Sequence, residues 1–476
     1  MPQTPGRIVS VSPMPPEKCA YALARYSRSP DSIRESIDWV RTHDSSKFLD
    51  SFYFQYGHAS IADLGHLVIC FEGVSELAAT EAEDEQLWDG QAKSSRYQDF
   101  GSAGFITPPD LDGAQATLYR SAGVALLEAY KHVHEQSLEH LKQKLPRPEA
   151  MKPDAYLRNI TARAFDVARY FLFWGIPTNV GQITSIRTLE RQIRRMKASE
   201  FAEVRDLGVE LAEACASEPG CLWDKDGSRE ALAPTLAKYV DPDAHLIESQ
   251  KALKQWASQN LPKAAGIEPG DVDLLKPTHT PADIVATLLY PVTNRPFREL
   301  YEWACGVSAA VREEVIGAAL ASRTREELLR GFRGGLYCYD MVMDIGAYRD
   351  FHRHRRCQQF RQAYEGNLGY DTPAVIAEAG LTGYYGAAMD AAWVAMRELP
   401  QPAAQYLLPF AGKSRFLFKM DFAEAEYISR LRSGVKGHFS YRNIAWRMKE
   451  EMEKVEPELG RLIEATPPWV EDPLVR

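Results

Sequence analysis

The residues best equipped for chemistry lie between Tyr348 and Arg361, where five arginines and two histidines accompany a single carboxylate in a chain of formal net charge −9. A guanidinium is always charged and presents a planar fork of donors. Such groups suit a phosphate, or a carbonyl oxygen that gains charge during a reaction. The plainer alternative is a solvated helix end, where arginine and histidine complement the macrodipole. Upstream, Leu336 to Asp344 alternates, with Tyr337, Tyr339, Met341 and Met343 on one side and Cys338, Asp340, Val342 and Asp344 on the other. That period predicts a half-buried strand, and a helix is expected to follow. On a helix, Arg349, His352, Arg353 and Arg356 fall at i, i+3, i+4 and i+7 and form one cationic stripe.

The surrounding chain has 476 residues, 45% hydrophobic and 25% charged, an ordinary globular composition long enough for more than one core. No segment approaches the roughly 18 apolar residues of a membrane span, and Met1 to Pro16 lacks an apolar signal core. A soluble, cytoplasmic protein with no membrane partner is expected. The seven cysteines are scattered, without a Cys-x-x-Cys pair, so neither a disulfide framework nor a metal site is expected. The acidic total argues against a general nucleic-acid binder, whose affinity comes from clustered Lys and Arg. A local basic site in an acidic protein better suits a small anionic ligand.

Weak similarities recur in the same order along the two halves. Pro13 to Tyr26 follows the strand-like Ile8-Val9-Ser10-Val11, and Pro277 to Tyr290 follows Val272 to Leu275 with the same proline-to-tyrosine distance. Val167-Ala168-Arg169-Tyr170-Phe171-Leu172 pairs with Ala403-Ala404-Gln405-Tyr406-Leu407-Leu408, and Phe105-Ile106-Thr107-Pro108 with Tyr370-Asp371-Thr372-Pro373. The expected architecture is α/β (α+β), two tandem copies of one domain, each a short sheet packed with helices. The copies are assigned to residues 1–217 and 270–476, with a turn-rich connection of helical stretches over 218–269.

Arg353-His354-Arg355, after such a strand and helix, resembles the Arg-His-Arg, seven residues, Ser signature of the flavin-dependent thymidylate synthases. The second copy keeps the head of that signature, but Ala363 stands in the serine's place and Tyr364-Glu365-Gly366 follows. The first copy reverses the loss. Gly57-His58-Ala59-Ser60 and the strand His66 to Phe71 resemble the segment before the signature, Ser94-Ser95-Arg96-Tyr97 matches its Ser-x-Arg-Tyr tail, and Asp84-Glu85-Gln86 replaces its head. Downstream, Ser414-Arg415-Phe416 and Leu431-Arg432 match two further arginine positions in the second copy. In the first copy Thr178-Asn179 lacks the first arginine, and Arg194-Arg195-Met196 carries the second one residue out of step.

The resemblance implies a flavin enzyme of pyrimidine nucleotide synthesis. FAD would be the cofactor, with NADPH as reductant and methylenetetrahydrofolate as one-carbon donor for C5 of deoxyuridine monophosphate or a related pyrimidine nucleotide. The family assembles four identical chains with sites shared between them, so a homodimer of this fused chain would imitate the tetramer. One copy would then supply what the other lacks. Arg353, Arg355 and Arg432 are the catalytic candidates. Arg353, His354, Arg355, Gln358 and His58 are candidates for holding flavin, and Ser94, Arg96, Tyr97, Asp350, Arg415 and Arg432 for holding the nucleotide. Asp350 stands where the family commonly has glutamine, and Ala92 where it has glutamate. These departures leave open another pyrimidine substrate, or a non-catalytic flavin- or nucleotide-binding homologue. An RNA patch at Arg349 to Arg361 with Phe351 and Phe360 is the third reading, disfavoured by the acidic total.

Overall fold

The structure is a computed structural model that describes residues 14–27, 29, 32–50, 59–85, 87–95, 99–222, 226–244, 247, 271–275, 279–289, 297–320, 332, 335–364, 368–472 and 474. Helices and two small antiparallel sheets make it an α+β protein. Its two compact units interleave along the chain. One gathers residues 1–93, 105–112 and 175–263; the other gathers 94–104, 113–174 and 264–476. Among the described residues no helix is long and apolar enough to cross a membrane.

In the first unit, strands β1 (His66–Ser75), β2 (Trp88–Ala92) and β3 (Pro177–Ser185) form a sheet in the order β1-β3-β2. Leu67, Ile69 and Phe71 of β1 are buried while Val68 is exposed, as strand alternation requires. Helices Glu76–Glu83, Ile186–Lys197 and Ala202–Ala216 complete its framework. The proline-marked helix near the start is present as Pro16–Tyr26, with proline in its first turn. The strand read at Ile8 to Val11 lies outside the described residues.

The second unit has β4 (Val272–Leu275), β5 (Tyr337–Asp344), β6 (Gln358–Arg361) and β7 (Lys413–Met420), in the order β4-β5-β7-β6. The alternation read in β5 is observed, since Tyr337, Tyr339, Met341 and Met343 are all buried. From β5 onward this half repeats the course of the other. Each runs strand, short helix, strand, helices, a 3-10 turn, strand and two helices. The capping chemistry repeats too: Ser75 and Asp344 accept from the N–H groups of Ala78 and Ala347, and Ser185 and Asp421 from those of Thr188 and Glu424. The chain is a tandem, divergent duplication.

Part of the first copy is built into the second unit. Helices Gly113–Lys144 and Pro153–Ala168 lead to the 3-10 turn Arg169–Phe171, after which the chain runs antiparallel to residues 408–411. Phe410 N donates to Leu172 O at 2.7 Å, and Trp174 N to Leu408 O at 3.3 Å. The same second-copy segment caps helix Ile345–Phe351, whose Ile345 and Gly346 N–H groups donate to the carbonyls of Gly412 and Phe410. One joint therefore fixes both the first copy's turn and the helix that introduces the arginines.

The expected cationic stripe on one helix is not formed. The helix ends at Phe351, and residues 352–357 make a turn into β6. Backbone N–H groups of the turn take the helix-end carbonyls, His352 N donating to Tyr348 O at 2.7 Å and His354 N to Phe351 O at 3.0 Å. Side chains close the turn on His354 O, to which Gln359 Nε2 donates at 2.9 Å and Cys357 Sγ at 2.8 Å. His352 and His354 point into the protein while Arg353 and Arg356 are exposed.

Tyr348 seats this short helix on the sheet by stacking on Phe416, with ring centroids 4.0 Å apart at 12°. It is buried, and its hydroxyl lies 3.1 Å from His352 Nδ1. Tyr348→Ala is expected to lower unfolding free energy by about 3 kcal/mol, whereas Tyr348→Phe, which keeps the stack, should lose much less. Chemical denaturation of both variants checks this, and equal losses would contradict the role given to the ring.

Candidate functional site

The arginine-bearing turn is held by an inner row of polar side chains. His354 is buried; its Nε2 accepts from Arg432 Nε at 2.8 Å, and its Nδ1 lies 3.4 Å from Glu424 Oε1. Accepting at Nε2 requires the neutral tautomer with its proton on Nδ1, facing Glu424. Burial lowers the His354 pKa, a tendency that Glu424 opposes and Arg432 reinforces. Burial likewise pushes the Cys357 thiol up to about 12, so it is a structural thiol rather than a nucleophile. Gln359 completes the row, with its Oε1 3.0 Å from His352 Nδ1.

The outer face is cationic. Arg353 is exposed, Arg355 is partly buried, and Gln358 is exposed at the start of β6. Arg349 reaches the other way: its Nη1 donates to Ser95 Oγ at 2.8 Å, and its guanidinium lies over the Phe410 ring at 4.8 Å. Ser95 is buried and belongs to the first copy's Ser94-Ser95 segment. The helix that leads into the Arg353-His354-Arg355 turn and the segment that carries Ser94 therefore touch within one compact unit.

Asp350 lies between two arginines. Its Oδ1 is 3.8 Å from Arg432 Nη1, and its Oδ2 is 3.8 Å from Arg169 Nη1. Arg415 is tied across the sheet to Asp340, with Nη1 2.9 Å from Oδ2. Ser94 sits beside Ser95, partly buried. Arg96, Tyr97 and His58 lie outside the described residues. Arg353, His354, Arg355, Gln358, Asp350, Arg415, Arg432 and Ser94 all belong to the second unit, in which Arg415 is engaged with the outward carboxylate of β5.

Ser95, Gln359, Glu424 and Arg169 were not singled out as site residues by sequence reasoning. Ser95 adjoins a candidate, and Arg169 lies in one of the repeat pairs, but neither burial nor pairing was legible there. Glu424 and Gln359 carry no motif signal.

In the first copy the corresponding position is closed by its own charges. Arg195 Nε donates to Glu85 Oε1 at 3.1 Å, and its Nη1 to the Glu81 carbonyl at 2.8 Å. The arginine one residue out of step still reaches its turn, where Glu85 stands in the place held by His354 in the second copy. Glu76 and Glu81 of the helix before that turn are buried.

Behind the arginine helix, Asp344 is fully buried. It accepts from Ala347 N at 2.9 Å and from the Ser440 hydroxyl in a very short contact. Burial, with the Asp371 charge adding, pushes its carboxyl up to about 6, against the opposing Ser440 hydrogen bond and Arg169 charge. A cavity of about 310 Å³ opens here, with Asp371, Lys413, Ser440, Asn443 and Phe439 in its walls.

The Thymidylate synthase complementing protein family model matches residues 7–218 and 335–458. The chain is also 25% identical over 445 residues to a UPF0159 protein of Chlamydia pneumoniae, covering 90% of this chain and 82% of that one. A UPF0159 protein of Chlamydia muridarum is 26% identical over 446 residues, covering 89% and 80% of the two chains. UPF0159 protein Ta1429 of Thermoplasma acidophilum is 24% identical over 490 residues, covering 93% of each.

Because the folded Asp344 carboxyl sits above its ordinary value, its ionisation cost is absent below about pH 4, grows through the interval to about 6 and is full above it. Asp344→Asn keeps the size and a capping oxygen. Its melting temperature relative to wild type is expected to rise between about pH 4 and 7. A difference that stays flat across that range would show that Asp344 does not titrate there.

Proposed function

We propose, for a chain that belongs to the thymidylate synthase complementing protein family, a flavin-dependent reductive one-carbon transfer to C5 of deoxyuridine monophosphate or a related pyrimidine nucleotide. The two copies would form one composite site. The observation that carries this reading is the Arg349–Ser95 hydrogen bond, which joins the second copy's arginine segment to the first copy's serine segment. A duplication whose two halves had decayed independently would have no reason to retain complementary parts in contact.

The donor set fits FAD. Arg353 is exposed and Arg355 partly exposed on a turn whose backbone is fixed from behind by Gln359 and Cys357, so their charges are presented rather than buried. Arg353, Arg355, Gln358 and His58 are assigned to the cofactor, with His354, buried and engaged at both ring nitrogens, supporting their turn from inside. When bound, the flavin supplies the hydride capacity, recharged by NADPH, and methylenetetrahydrofolate supplies the carbon. The chain's own task is orientation and charge. Arg353 and Arg355 polarise a uracil oxygen, which makes the ring's electron density easier to redistribute. Ser94, Arg96, Tyr97 and Arg432 hold the phosphate and sugar, with Arg415 assisting once released from Asp340. Asp350 lies within reach of the same ligand. A cytoplasmic homodimer with two such sites is part of the proposal.

A second reading is a non-catalytic flavin- or nucleotide-binding homologue. It is favoured by how many signature groups are already engaged inside the protein: His354 with Arg432 and Glu424, and Arg415 with Asp340.

The test is the visible absorption spectrum of purified protein after FAD addition and desalting. Wild type is expected to retain flavin; Arg353→Ala should lose it, and Ser95→Ala should retain at least several-fold less. Retained flavin that deuridylate and methylenetetrahydrofolate cannot turn over would favour the second reading. An absence of retained flavin would defeat the cofactor assignment.

A further inference from the structure

Arg169 is only 1% exposed, yet its Nε and Nη2 have no hydrogen-bond partner among the described residues. Unmatched donors on a buried charge are costly, on the order of 1 to 3 kcal/mol for each group, so their persistence calls for a reason. The surroundings make room for them. A Cβ added at Gly346 would lie 3.0 Å from Arg169 Nη2 and 3.0 Å from Asp344 Oδ1, so the absent side chain lets the guanidinium lie against the first turn of the arginine helix. The backbone joint between residues 170–174 and 408–411 fixes the turn that carries it.

From this position Arg169 acts on Asp350 from the side opposite Arg432. A carboxylate with one guanidinium neighbour would close to hydrogen-bond distance on it. Here the two Asp350 oxygens are each 3.8 Å from a different arginine, so the carboxylate is shared and closes on neither. Arg432 meanwhile keeps its 2.8 Å bond to His354. Asp350 and Arg432 retain 18% and 16% side-chain exposure, so a ligand can reach this pair although it cannot reach Arg169 directly. Only one copy supplies the device. At the matching position of the second copy stands Gln405, whose Oε1 accepts from Tyr364 N at 3.1 Å.

We propose that Arg169 is a positioning residue: it holds Asp350 off Arg432, so that the phosphate of a ligand can take the Arg432 guanidinium. This rests on reading the arginine turn as an anion site and adds the residue that keeps the site open. In an Arg169→Gln variant Asp350 swings onto Arg432 and competes with the incoming anion. Removing the Asp350 charge cancels that competition, which neither a purely structural role nor direct contact with the ligand would allow.

The experiment is calorimetric titration of full-length protein with inorganic pyrophosphate, on wild type, Arg169→Gln, Asp350→Asn and the double variant. Arg169→Gln is expected to bind about ten-fold more weakly. Asp350→Asn should bind at least as well as wild type, and the double variant should return to within about three-fold of it. Arg169→Lys keeps a charge at the site, should give an intermediate affinity, and serves if the glutamine variant fails to fold. Unchanged binding in the Arg169 variants would overturn this inference alone, as would weakened binding that Asp350→Asn does not restore. Failure of wild type to bind pyrophosphate would overturn the anion site together with it. Parallel titrations with FAD and deoxyuridine monophosphate identify the phosphate source by the arm in which the same rescue recurs.

Discussion

Charge buried in one copy is balanced by charge from the other, and the arrangement of the second unit depends on that balance. Arg169 arrives on the first copy's 3-10 turn, while Asp344 caps the second copy's short helix and Asp350 lies in its last turn. In a low-dielectric interior neither sign is tolerable alone. The pairing therefore constrains where the first copy's turn can sit, and the antiparallel joint at residues 170–174 and 408–411 supplies the backbone bonds that hold it there. Tyr348 and Phe416 seat the helix from below, and Arg349 reaches across to Ser95. The cationic turn is thus displayed from a support to which both copies contribute.

Duplication allowed the two halves to diverge in opposite electrostatic directions. In the second copy an arginine of the strand-following helix meets a neutral histidine, leaving cationic groups outside. In the first, the arginine at the related place meets Glu85 and the Glu81 carbonyl, and its charge is consumed internally. A phosphate would find attraction in one and repulsion in the other. This asymmetry is the physical ground for proposing one composite site per chain.

Much of the framework was readable beforehand because periodic burial is a local property. Tyr337, Tyr339, Met341 and Met343 announce β5, and the matched prolines and tyrosines announce the duplication. The arginine helix was read too long because a helical spacing at Arg349, His352, Arg353 and Arg356 carries no information about carbonyl partners further along. Gln359 and Cys357 both donate to His354 O and close the chain into a turn with histidines inside and Arg353 and Arg356 outside.

The sequence by itself determined the family resemblance, the two-copy plan, the strand before the arginines and the division of the signature, all of which follow from residue order and period. Only the tertiary structure decided that the helix pair of the first copy is built into the second unit, that Ser95 meets Arg349, and that Arg169 shares Asp350 with Arg432. The three side-chain contacts join residues 254, 181 and 82 positions apart. Pairing at such distances depends on where packing delivers each backbone, and a buried charge selects its partner only after the fold has removed water from both.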